Sequence, residues 1–294
     1  MTLEQLRIFV AVAEREHVTA AAAALNVSQS AASAAISALE DRHDVKLFDR
    51  IGRRIVLTEI GRIFLEEARA VLARASVAES VLDEFAGLKR GTLRVVASQT
   101  IAAYWLPPIL ADFKERRPLL GLEVAIANTQ QAAARVREGL ADFGIVEGRV
   151  DDPVLATWPL GEDKLLLVQA LPVDVIIDAA WLRAARWVRR EPGSGTRSTF
   201  DEVLRHIGIE PDELDAALVL PSNESVRTAV EGGAGVAALS SLVVDSAIAE
   251  GKLHALPFDL GARPFFGLWH KERTRTRATD ALLTLIREKA TPHS

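Results

Sequence analysis

Polar side chains follow four strand-like segments in the C-terminal two thirds of the chain. These clusters are Ser98-Gln99-Thr100 after TLRVVAS, Asn128-Thr129 after LEVAIAN, Glu147 at the end of DFGIVEG, and residues 192–197 (PGSGTR) after RWVRRE. In the last cluster, backbone N–H groups, the hydroxyls of Ser194 and Thr196 and the cation of Arg197 suit an anion. One such cluster alone is most often a helix N-cap. Four of them in one domain predict a site for a small ligand.

The sequence contains none of the common catalytic patterns that we considered. There is no cysteine, no Walker A motif and no Gly-x-Ser-x-Gly or Ser-x-x-Lys motif. Residues 232–235 (GGAG) precede a strand-like segment, which predicts a turn and not a dinucleotide-binding loop. The histidines show no metal-ligand spacing; they are His17, His43, His206, His254, His270 and His293. We therefore expect no enzymatic activity, no cofactor and no metal.

Length and composition predict a globular protein of two or three domains. The chain has 294 residues, of which 49% are hydrophobic and 26% charged, and this balance is not that of a disordered protein. The absence of cysteine is consistent with a reducing cytosol. The N-terminus does not read as a signal peptide, and the longest apolar stretch, residues 236–244, is too short to span a membrane. We expect a soluble cytoplasmic protein whose net charge of −5 leaves room only for a local basic surface.

From residue 92 onward, strand-like segments alternate with helical ones. This alternation predicts an α/β fold with parallel sheets covered by helices. Ligands bind beyond the carboxyl ends of such strands, where helix N-termini present unpaired N–H groups. The four polar clusters lie at those positions, which supports the predicted site.

Two short helices joined by a tight turn are predicted within the first 43 residues. A separate helix, for which Thr2 is a candidate N-cap, precedes this pair. Thr19 opens AAAAAL, the first helix of the pair. Asn26-Val27-Ser28 ends that helix, and Ser28 can cap the next one through its hydroxyl. This arrangement predicts a helix-turn-helix, whose second helix lies in the DNA major groove.

The second helix of this pair, SQSAASAAISALE, is unusually rich in small residues. Ala32, Ile36 and Leu39 form one stripe that we expect to be buried. Gln29, Ser30 and Ser33 lie elsewhere on its surface and offer short donors and acceptors to bases and phosphates. The alternative is an Ala-rich helix that packs against another helix.

A basic segment follows directly and favours the DNA-binding interpretation. Between residues 42 and 62 there are six cations and three anions: Arg42, Lys46, Arg50, Arg53, Arg54 and Arg62 against Asp44, Asp49 and Glu59. The run IGRRIVLT reads as a hairpin with a Gly-Arg-Arg turn followed by the strand Ile-Val-Leu-Thr. Arg53 and Arg54 would then lie at the tip of a wing that contacts phosphates or the minor groove. Without this context, a charge run is more often a solvated face.

The N-terminal segment resembles the LysR-type transcriptional regulators. The residues that carry the resemblance are AAAALNVSQSAASAAISALE (21–40), LFDR (47–50), Leu57-Thr58 and Gly61. Two positions depart from the family pattern: Ala32 stands where a larger aliphatic residue is common, and Asp44 where glycine is common. The resemblance implies a winged helix-turn-helix whose DNA contacts come from Ser28, Gln29, Ser30, Ser33, Arg50, Arg53 and Arg54.

The resemblance also implies the domain plan. It places the DNA-binding domain at 1–58, a dimerising linker helix and hinge at 59–90, and an effector-binding domain at 91–294. The last consists of two α/β subdomains arranged as in periplasmic binding proteins, subdomain I at 91–163 and 267–294 and subdomain II at 164–266. The chain crosses between them near Asp163 and near Phe266.

The predicted linker helix carries a heptad stripe. Its members recur at spacings of four and three: Phe64, Ala68, Val71, Ala75, Ala78, Leu82 and Phe85. We expect this stripe to face a second copy of the chain; the alternative is packing against the protein's own body. A hinge is expected at 87–91 (GLKRG). The family resemblance implies homodimers or homotetramers.

The family's effector positions fall on the polar clusters. Carried over, they are Ser98, Thr100, Asn128, Thr129, Glu147, Ser194 and Thr196, beside which Arg197 adds a cation. The run REPGSGTR resembles a subgroup associated with sulfur assimilation and carbon fixation, whose effectors are small anions. We expect anion binding to close the cleft, to shift the packing of the oligomer and to change the spacing of the recognition helices or the DNA bend. The competing hypotheses are a cytosolic solute-binding protein without specific DNA binding and an enzyme built on the α/β domains.

Overall fold

The computed structural model describes residues 1–51, 54–85 and 92–290. They form two compact units, the first comprising residues 1–82 with 138–140 and the second the remainder. No helix within the described ranges is long and apolar enough to cross a membrane.

The N-terminal unit contains four helices and a two-stranded hairpin. These elements are α1 (Leu3–Arg15), α2 (Val18–Ala24), α3 (Gln29–His43), β1 (Phe48–Ile51), β2 (Arg54–Leu57) and α4 (Glu59–Phe85). Their core forms around Phe9 of α1, whose ring lies 5.4 Å from that of Phe48 and 4.9 Å from that of Phe64. As expected, Ala32, Ile36 and Leu39 of α3 are buried in this core.

Local signals in the sequence fix most of the helix ends. Thr2 caps α1 in a capping box with Gln5, and the Ser28 hydroxyl accepts the N–H of Ala31 at the start of α3. Asn26 and Asp44 adopt left-handed backbone angles, with φ of 55° and 51°. The predicted caps Thr2 and Ser28 are confirmed, and the left-handed angles agree with the helix end predicted at Asn26 and with the glycine that is common at position 44.

One predicted helix start is wrong by a single residue. The helix α2 begins at Val18, one residue before Thr19, because His17 acts as the N-cap. The Nδ1 atom of His17 accepts the N–H of Ala20 at 3.1 Å. Ring nitrogens are an uncommon capping group, so the serine and threonine rules do not identify this one.

The wing hairpin is present, with slightly different bounds. Its strands are antiparallel and pair Phe48 with Leu57 and Ile51 with Arg54. Thus β2 begins at Arg54, one residue before the predicted strand, and ends at Leu57. Thr58 is left outside the strand because its hydroxyl caps α4, accepting the N–H of Gly61 at 2.9 Å. Arg53 lies outside the described residues.

The linker helix α4 is continuous, but its heptad stripe does not face one way. Phe64 and Ala68 pack in the core of the N-terminal unit, so for these two the prediction of a partner-facing position is wrong. The ring of Phe64 packs beside that of Phe9 of α1. Val71 and Ala78 are exposed and Ala75 is partly exposed. The side chains of Leu82 and Phe85, and the predicted hinge at 87–91, lie outside the described residues.

The second unit is a mixed α/β domain. Its strands are β3 (Thr92–Ser98), β4 (Gly121–Ala127), β5 (Phe143–Glu147), β6 (Leu155–Gln169), β7 (Arg186–Arg190), β8 (Asp215–Leu220), β9 (Ala237–Ser240), β10 (His254–Ala255) and β11 (Ala262–His270). Its α-helices are α5 (Pro107–Arg116), α6 (Thr129–Glu138), α7 (Ala179–Ala184), α8 (Gly195–His206), α9 (Asn223–Glu231), α10 (Ser241–Ala249) and α11 (Arg277–Ala290). A π-helical turn, Ile101–Trp105, precedes α5.

The sheet is mixed, which corrects the prediction of purely parallel sheets. Strand β3 is parallel to β4 and β5, as expected, but β11 is antiparallel to both β5 and β6. The reason is that β11, the last strand in the chain, enters the sheet between β5 and β6 and runs opposite to both. The long strand β6 also pairs with β9 and β10, while β7 and β8 form a separate parallel pair.

A close backbone approach explains why glycine stands at position 61 of the family motif. A Cβ atom on Gly61 would lie 2.1 Å from the carbonyl oxygen of Leu47 and 2.9 Å from Cδ2 of Leu57. That carbonyl oxygen already accepts the N–H of Thr58, so the backbone at the base of the wing cannot easily shift. Glycine therefore lets α4 start against the wing.

We predict that Gly61→Ala destabilises the N-terminal unit by about 1–3 kcal/mol, the usual cost of overpacking. Urea unfolding followed by far-UV circular dichroism measures the change. Gly232→Ala is the matched control, because there a Cβ atom would meet its nearest neighbours at 3.4 and 3.5 Å. All five tryptophans lie in the second unit, so their fluorescence transition should not move; equal stability of Gly61→Ala and wild type would contradict the packing argument.

Candidate DNA-binding surface and effector cleft

The first turns of α3 present a polar surface. Ser28, Gln29 and Ser30 are exposed and Ser33 is partly exposed, while the apolar stripe of the same helix is buried. The side-chain amide of Gln29 donates to the Ser33 hydroxyl at 3.2 Å, and the Ser28 and Ser30 hydroxyls lie 2.9 Å apart. The structure thus brings these four predicted DNA-binding residues together at one end of the helix.

Two of the predicted wing cations, Arg50 and Arg54, belong to the hairpin next in the chain. The backbones of Arg50 and Arg54 lie in β1 and β2, where Arg50 pairs with Ile55 and Arg54 with Ile51. Lys46, another member of the basic segment, is engaged by the Glu40 carboxylate at 2.8 Å. The DNA-contacting roles of the arginines stay predictions.

Glu40 joins the recognition helix to the wing. It is the one charged residue among 28–40, and it is buried near the end of α3. Its Oε1 accepts the backbone N–H groups of Leu47 at 2.8 Å and Phe48 at 3.3 Å. Burial alone would raise the pKa of Glu40, but the hydrogen bonds from Lys46, Leu47 and Phe48 hold the pKa below its ordinary value of 4.5.

Glu147 is the centre of the polar cluster in the second unit. The hydroxyl of Ser98 donates to its carboxylate, and the hydroxyl of Thr100 donates to Oε1 at 3.3 Å. Nη1 of Arg263 lies 3.6 Å from the same Oε1 atom. All four side chains are buried. Two hydroxyls and a guanidinium therefore converge on one carboxylate, a donor set suited to an oxyanion.

Arg263 connects this cluster to β6 and α8 and, through Asp163, to β9. It is fully buried, and its Nε donates to Oδ1 of Asp163 at 2.7 Å while Nη2 contacts Oδ2 of the same carboxylate. Nη1 donates to the Thr196 hydroxyl at 2.9 Å, and the Ser240 hydroxyl donates to Asp163 at 2.5 Å. Sequence reasoning missed Arg263. The one signal available in the sequence was its place in the strand-like run RPFFGLWH. This run contains Phe266, near which the chain was expected to cross back between the two subdomains.

A second set of contacts joins the β3 end to the start of α9. Nδ2 of Asn223 donates to the Thr100 hydroxyl at 2.9 Å, and the Asn223 backbone N–H donates to Oε1 of Gln99 at 3.0 Å. The Arg190 guanidinium contacts Oδ1 of Asn223. Asn223 is buried, and it bridges residues that lie more than 120 positions earlier in the chain.

Asn128 directly precedes α6, and Thr129 is the first residue of that helix. The Thr129 hydroxyl donates to the carbonyl oxygen of Glu147 at 2.8 Å, and Nδ2 of Asn128 donates to Glu191 at 3.2 Å. Oδ1 of Asn128 also accepts the N–H of Gln131, so this side chain has the N-cap role considered above.

The start of α8 is pressed against the end of β5. Ser194 and Thr196 are buried there, and a Cβ atom on Gly195 would lie 2.1 Å from the carbonyl oxygen of Glu147. Arg197 is not part of the Glu147 cluster. Its Nη1 donates to the carbonyl oxygen of Arg190 at 3.2 Å, and its Nε lies 3.6 Å from Asp201. Ser98, Thr100 and Thr129 thus hydrogen-bond to Glu147, and Thr196 is bonded to Arg263 beside it. The effector-binding roles of the eight residues stay predictions.

Two guanidinium groups and three carboxylates are paired with one another in this cluster. Arg263 is matched by Asp163 and Glu147, and Arg190 forms two hydrogen bonds with Glu191, at 2.8 and 3.0 Å. Within the described residues, no group of three or more His, Asp or Glu side chains could hold a metal ion. The chemistry that this arrangement supports is polar recognition of a small molecule.

A winged helix-turn-helix followed by an α/β domain with a buried polar cleft defines a DNA-binding regulator controlled by a small molecule. Comparison with known families agrees in both parts. Residues 3–62 match the bacterial regulatory helix-turn-helix proteins of the LysR family, and residues 86–291 match the LysR substrate-binding domain. The chain belongs to the LysR family of DNA-binding transcriptional regulators.

Individual relatives support this assignment. The chain is 33% identical to the HTH-type transcriptional regulator YeiE of Escherichia coli K12 over 285 residues, covering 95% of this chain and 94% of YeiE. It is 31% identical to a probable RuBisCO transcriptional regulator of Trichormus variabilis, covering 99% and 89%. Among solved structures, a full-length OxyR variant from Pseudomonas aeruginosa matches with 25% identity and a TM-score of 0.69, covering 98% and 95%.

We predict that Glu40→Gln loosens the base of the wing at neutral pH and that the difference from wild type vanishes in acid. A carboxylate whose pKa is lowered by folding stabilises the fold above its unfolded pKa, and this stability is lost as the pH falls through the folded pKa, below 4.5. Hydrogen exchange of the Leu47 and Phe48 amides should be about tenfold faster in the variant at pH 7, since a hydrogen bond to a charged group is worth about 1.5–3 kcal/mol.

The control for this experiment is Glu67→Gln, which removes an exposed carboxylate from α4. Each variant is compared with wild type at the same pH, because intrinsic exchange rates depend on pH. A Glu40→Gln effect that keeps the same size as the pH is lowered from 7 to well below 4.5, for as long as the wing stays folded, would show that the charge is not what holds the wing.

Proposed function

We propose that the effector of this regulator is a small oxyanion that binds in the cleft around Glu147. The residues proposed to contact it are Ser98, Thr100, Asn128, Thr129, Glu147, Ser194 and Thr196, now joined by Arg263 and Asn223. Arg197 keeps a supporting role, because it holds the carbonyl oxygen of Arg190 behind the cleft. The observation that carries the proposal is the carboxylate of Glu147, on which Ser98, Thr100 and Arg263 converge.

The protein's own carboxylate marks the chemistry of the site. Hydroxyl groups and a guanidinium bind carboxylates, sulfates and phosphates alike, since each presents oxygen acceptors with negative charge. An added anion would therefore compete with Glu147 for the same donors. The cleft walls already touch through Thr100 and Asn223, so a ligand of only a few atoms fits this proposal.

The proposed response is an exchange of contacts across the cleft. Sequence analysis led us to expect that anion binding closes an open cleft, but the walls are already joined through Asn223 and Arg263. We infer that the anion takes over donors now held by Glu147 and so changes how β3 and α8 lie against each other. A ligand can shift the regulator only through different affinities for the two arrangements.

The proposal includes a homo-oligomer that forms through α4. Several apolar residues of this helix are exposed within the N-terminal unit; Ile60, Ile63 and Val71 are 50%, 64% and 42% exposed. A second copy would cover them, and two wing domains would then read a two-fold DNA site. In this arrangement Ser28, Gln29, Ser30 and Ser33 face the major groove, and Arg50, Arg53 and Arg54 face the phosphates. Domain boundaries near residues 58 and 90, and near 163 and 266 within the effector domain, are part of the same proposal.

Regulation without catalysis completes the proposed function. Relatives in the family are named transcriptional regulators, which disfavours the hypotheses of an enzyme and of a solute-binding protein without DNA binding. The charged side chains of the cleft are held by opposite charges and hydroxyls.

We predict that Thr100→Val abolishes the effector response and leaves DNA binding unchanged without effector. The valine keeps the shape but removes the hydroxyl that joins Glu147 to Asn223. Loss of one hydrogen bond to a charged group should weaken anion binding by about 10- to 100-fold. Tryptophan fluorescence, titrated with sulfate, phosphate and two- or three-carbon carboxylates, gives the affinities.

Thr157→Val is the matched control, because it changes an exposed threonine of β6 in the same way. Anisotropy of labelled operator DNA checks that both variants still bind. If no anion of the panel binds wild type saturably, the ligand class is wrong; if Thr100→Val binds as wild type does, the assigned cleft is wrong.

We predict different effects for the wing and the recognition helix. Arg54→Ala should weaken binding to all duplexes and reduce the slope of log K against log salt by about 1, because a phosphate contact carries no sequence information. Ser33→Ala should change the preference between operator and scrambled duplex by about 1–3 kcal/mol. Anisotropy at several salt concentrations measures both, with Arg205→Ala, an exposed arginine of the effector domain, as the control.

Equal affinities of Ser33→Ala and wild type for every duplex would remove Ser33 from base recognition. An unchanged salt slope for Arg54→Ala would remove Arg54 from the phosphate contacts.

A further inference from the structure

A pocket of about 370 Å³ in the second unit shares no lining residue with the proposed effector cleft. It is bordered by the end of β6 and the segment that follows, by α7, by the first residue of β7 and by the turn before β9. Pockets that hold small organic molecules have volumes of about 300–1,000 Å³. This pocket is therefore large enough for a ligand of its own.

The turn at 232–235 (GGAG) supplies one wall of the pocket. A Cβ atom on Gly235 would lie 2.3 Å from the carbonyl oxygen of Arg186, so glycine lets the turn approach β7 this closely. The same carbonyl oxygen accepts the N–H of Val236 at 2.8 Å. The turn is thus held by backbone contacts, and its two lining residues, Gly233 and Gly235, have no side chains that could fill the pocket.

Most of the other lining side chains are apolar. Leu171 is 73% exposed, and further apolar lining residues are Ala170, Trp181 and Ala184. Trp181 is partly buried and packs against the hydrophobic core beneath it. Apolar surface in contact with water is unfavourable, and an apolar group that covers it is stabilised. The pocket therefore suits a ligand with an apolar body.

Arg186 gives the pocket a positive charge with unused donors. The residue is exposed, and its guanidinium forms no ion pair or hydrogen bond with another described residue. Its Cβ atom lies 3.4 Å from the position that a Cβ atom on Gly235 would take, so the side chain starts beside the glycine wall. Asp215 lies opposite Arg186 in the β7–β8 pair but makes no ion pair with it. Among the described residues, none that lines the pocket is acidic.

We propose that this pocket binds a small carboxylate with an apolar body, such as a phenylalkanoate. The carboxylate pairs with Arg186, and the apolar body lies against Trp181 and Leu171. Sulfate and phosphate do not meet this requirement, because they would leave the apolar lining uncovered. The ligand class therefore differs from the oxyanion proposed for the cleft.

One strand joins this pocket to the cleft. Arg186 is the first residue of β7, and Arg190, the last, contacts Asn223 in the cleft. Four residue steps along a strand span about 13 Å, so one ligand of this size does not occupy both places. A molecule bound at Arg186 would act on the strand that helps to hold Asn223.

A brominated ligand locates the site. Crystals of the full-length protein soaked with para-bromophenylpropanoate should show a bromine anomalous peak beside the Trp181 ring, with the carboxylate in hydrogen-bond distance of Arg186. A peak confined to the Glu147 cluster, or no peak at a concentration that saturates the protein in solution, would overturn the proposal.

Calorimetric titration with phenylpropanoate tests the role of the charge. Arg186→Gln should weaken binding by about 10- to 100-fold, as expected for the loss of a hydrogen bond between charged groups. The neutral amide, phenylpropanamide, should bind wild type as weakly as the acid binds Arg186→Gln. Arg205→Gln, which changes an exposed arginine of α8, is the control and should keep full affinity. Equal affinities of Arg186→Gln and wild type for the acid would contradict the assignment.

Ala184→Phe tests the pocket without changing a charge. Ala184 is exposed on α7, so the larger ring should fill the pocket and abolish binding while the fold, checked by circular dichroism, stays intact. Light scattering should give the same mass for this variant and wild type. A lower mass for the variant, together with no binding of phenylpropanoate to wild type, would show that a second copy of the chain covers the pocket and would overturn the proposal.

Thr100→Val separates this pocket from the cleft. The variant should lose its response to oxyanions and keep its full affinity for phenylpropanoate, which sulfate should not displace. Loss of phenylpropanoate binding in Thr100→Val would place that ligand in the cleft and overturn the separate site, while leaving the proposed effector function intact.

Discussion

The effector domain depends on one fully buried arginine. Arg263 lies between the carboxylates of Asp163 and Glu147 and donates to Thr196. It therefore joins its own strand, β11, to β6, to the end of β5 and to the start of α8. A guanidinium removed from water is tolerated only when its charge and its N–H groups are satisfied, and breaking such a pair costs about 3–5 kcal/mol. The positions of Glu147, Ser98 and Thr100 follow from this constraint, because each is held in reach of the next.

The DNA-binding unit uses the same principle on a smaller scale. Its recognition helix consists mostly of small residues that bury little volume, so packing alone gives it few restraints. Glu40, at the far end of the helix, supplies one by accepting two backbone N–H groups from the base of the wing. Each unit therefore contains a buried carboxylate that accepts hydrogen bonds from another structural element, which lies close in the chain for Glu40 and distant for Glu147. In one unit that carboxylate fixes a surface, and in the other it occupies the site that we propose for an anion.

Much of the fold could be predicted because its signals are local. The capping residues Thr2 and Ser28, the left-handed positions Asn26 and Asp44 and the buried stripe of α3 each depend on a few neighbouring residues. The candidate cleft could be outlined as well, since strand ends carry binding residues in α/β domains. Arg197 shows the limit of that reasoning. It belongs to a polar strand-end cluster, yet Asp201, one helical turn further on, draws its side chain behind the cleft.

The sequence by itself determined most of the elements, the family and several of the residues that gather around Glu147, but not Arg263 or Asn223. Only the tertiary structure decided how those residues are satisfied. Arg263 and Asp163 are one hundred positions apart, and their pairing requires β6 and β11 to be antiparallel neighbours. Packing also decided that the side chains of Phe64 and Ala68 face the core of their own unit. The heptad pattern could not predict this, because such a stripe is equally apolar whether it faces a second copy or the protein's own core. Periodicity records which residues avoid water, whereas the choice of contact depends on long-range geometry that no local spacing contains.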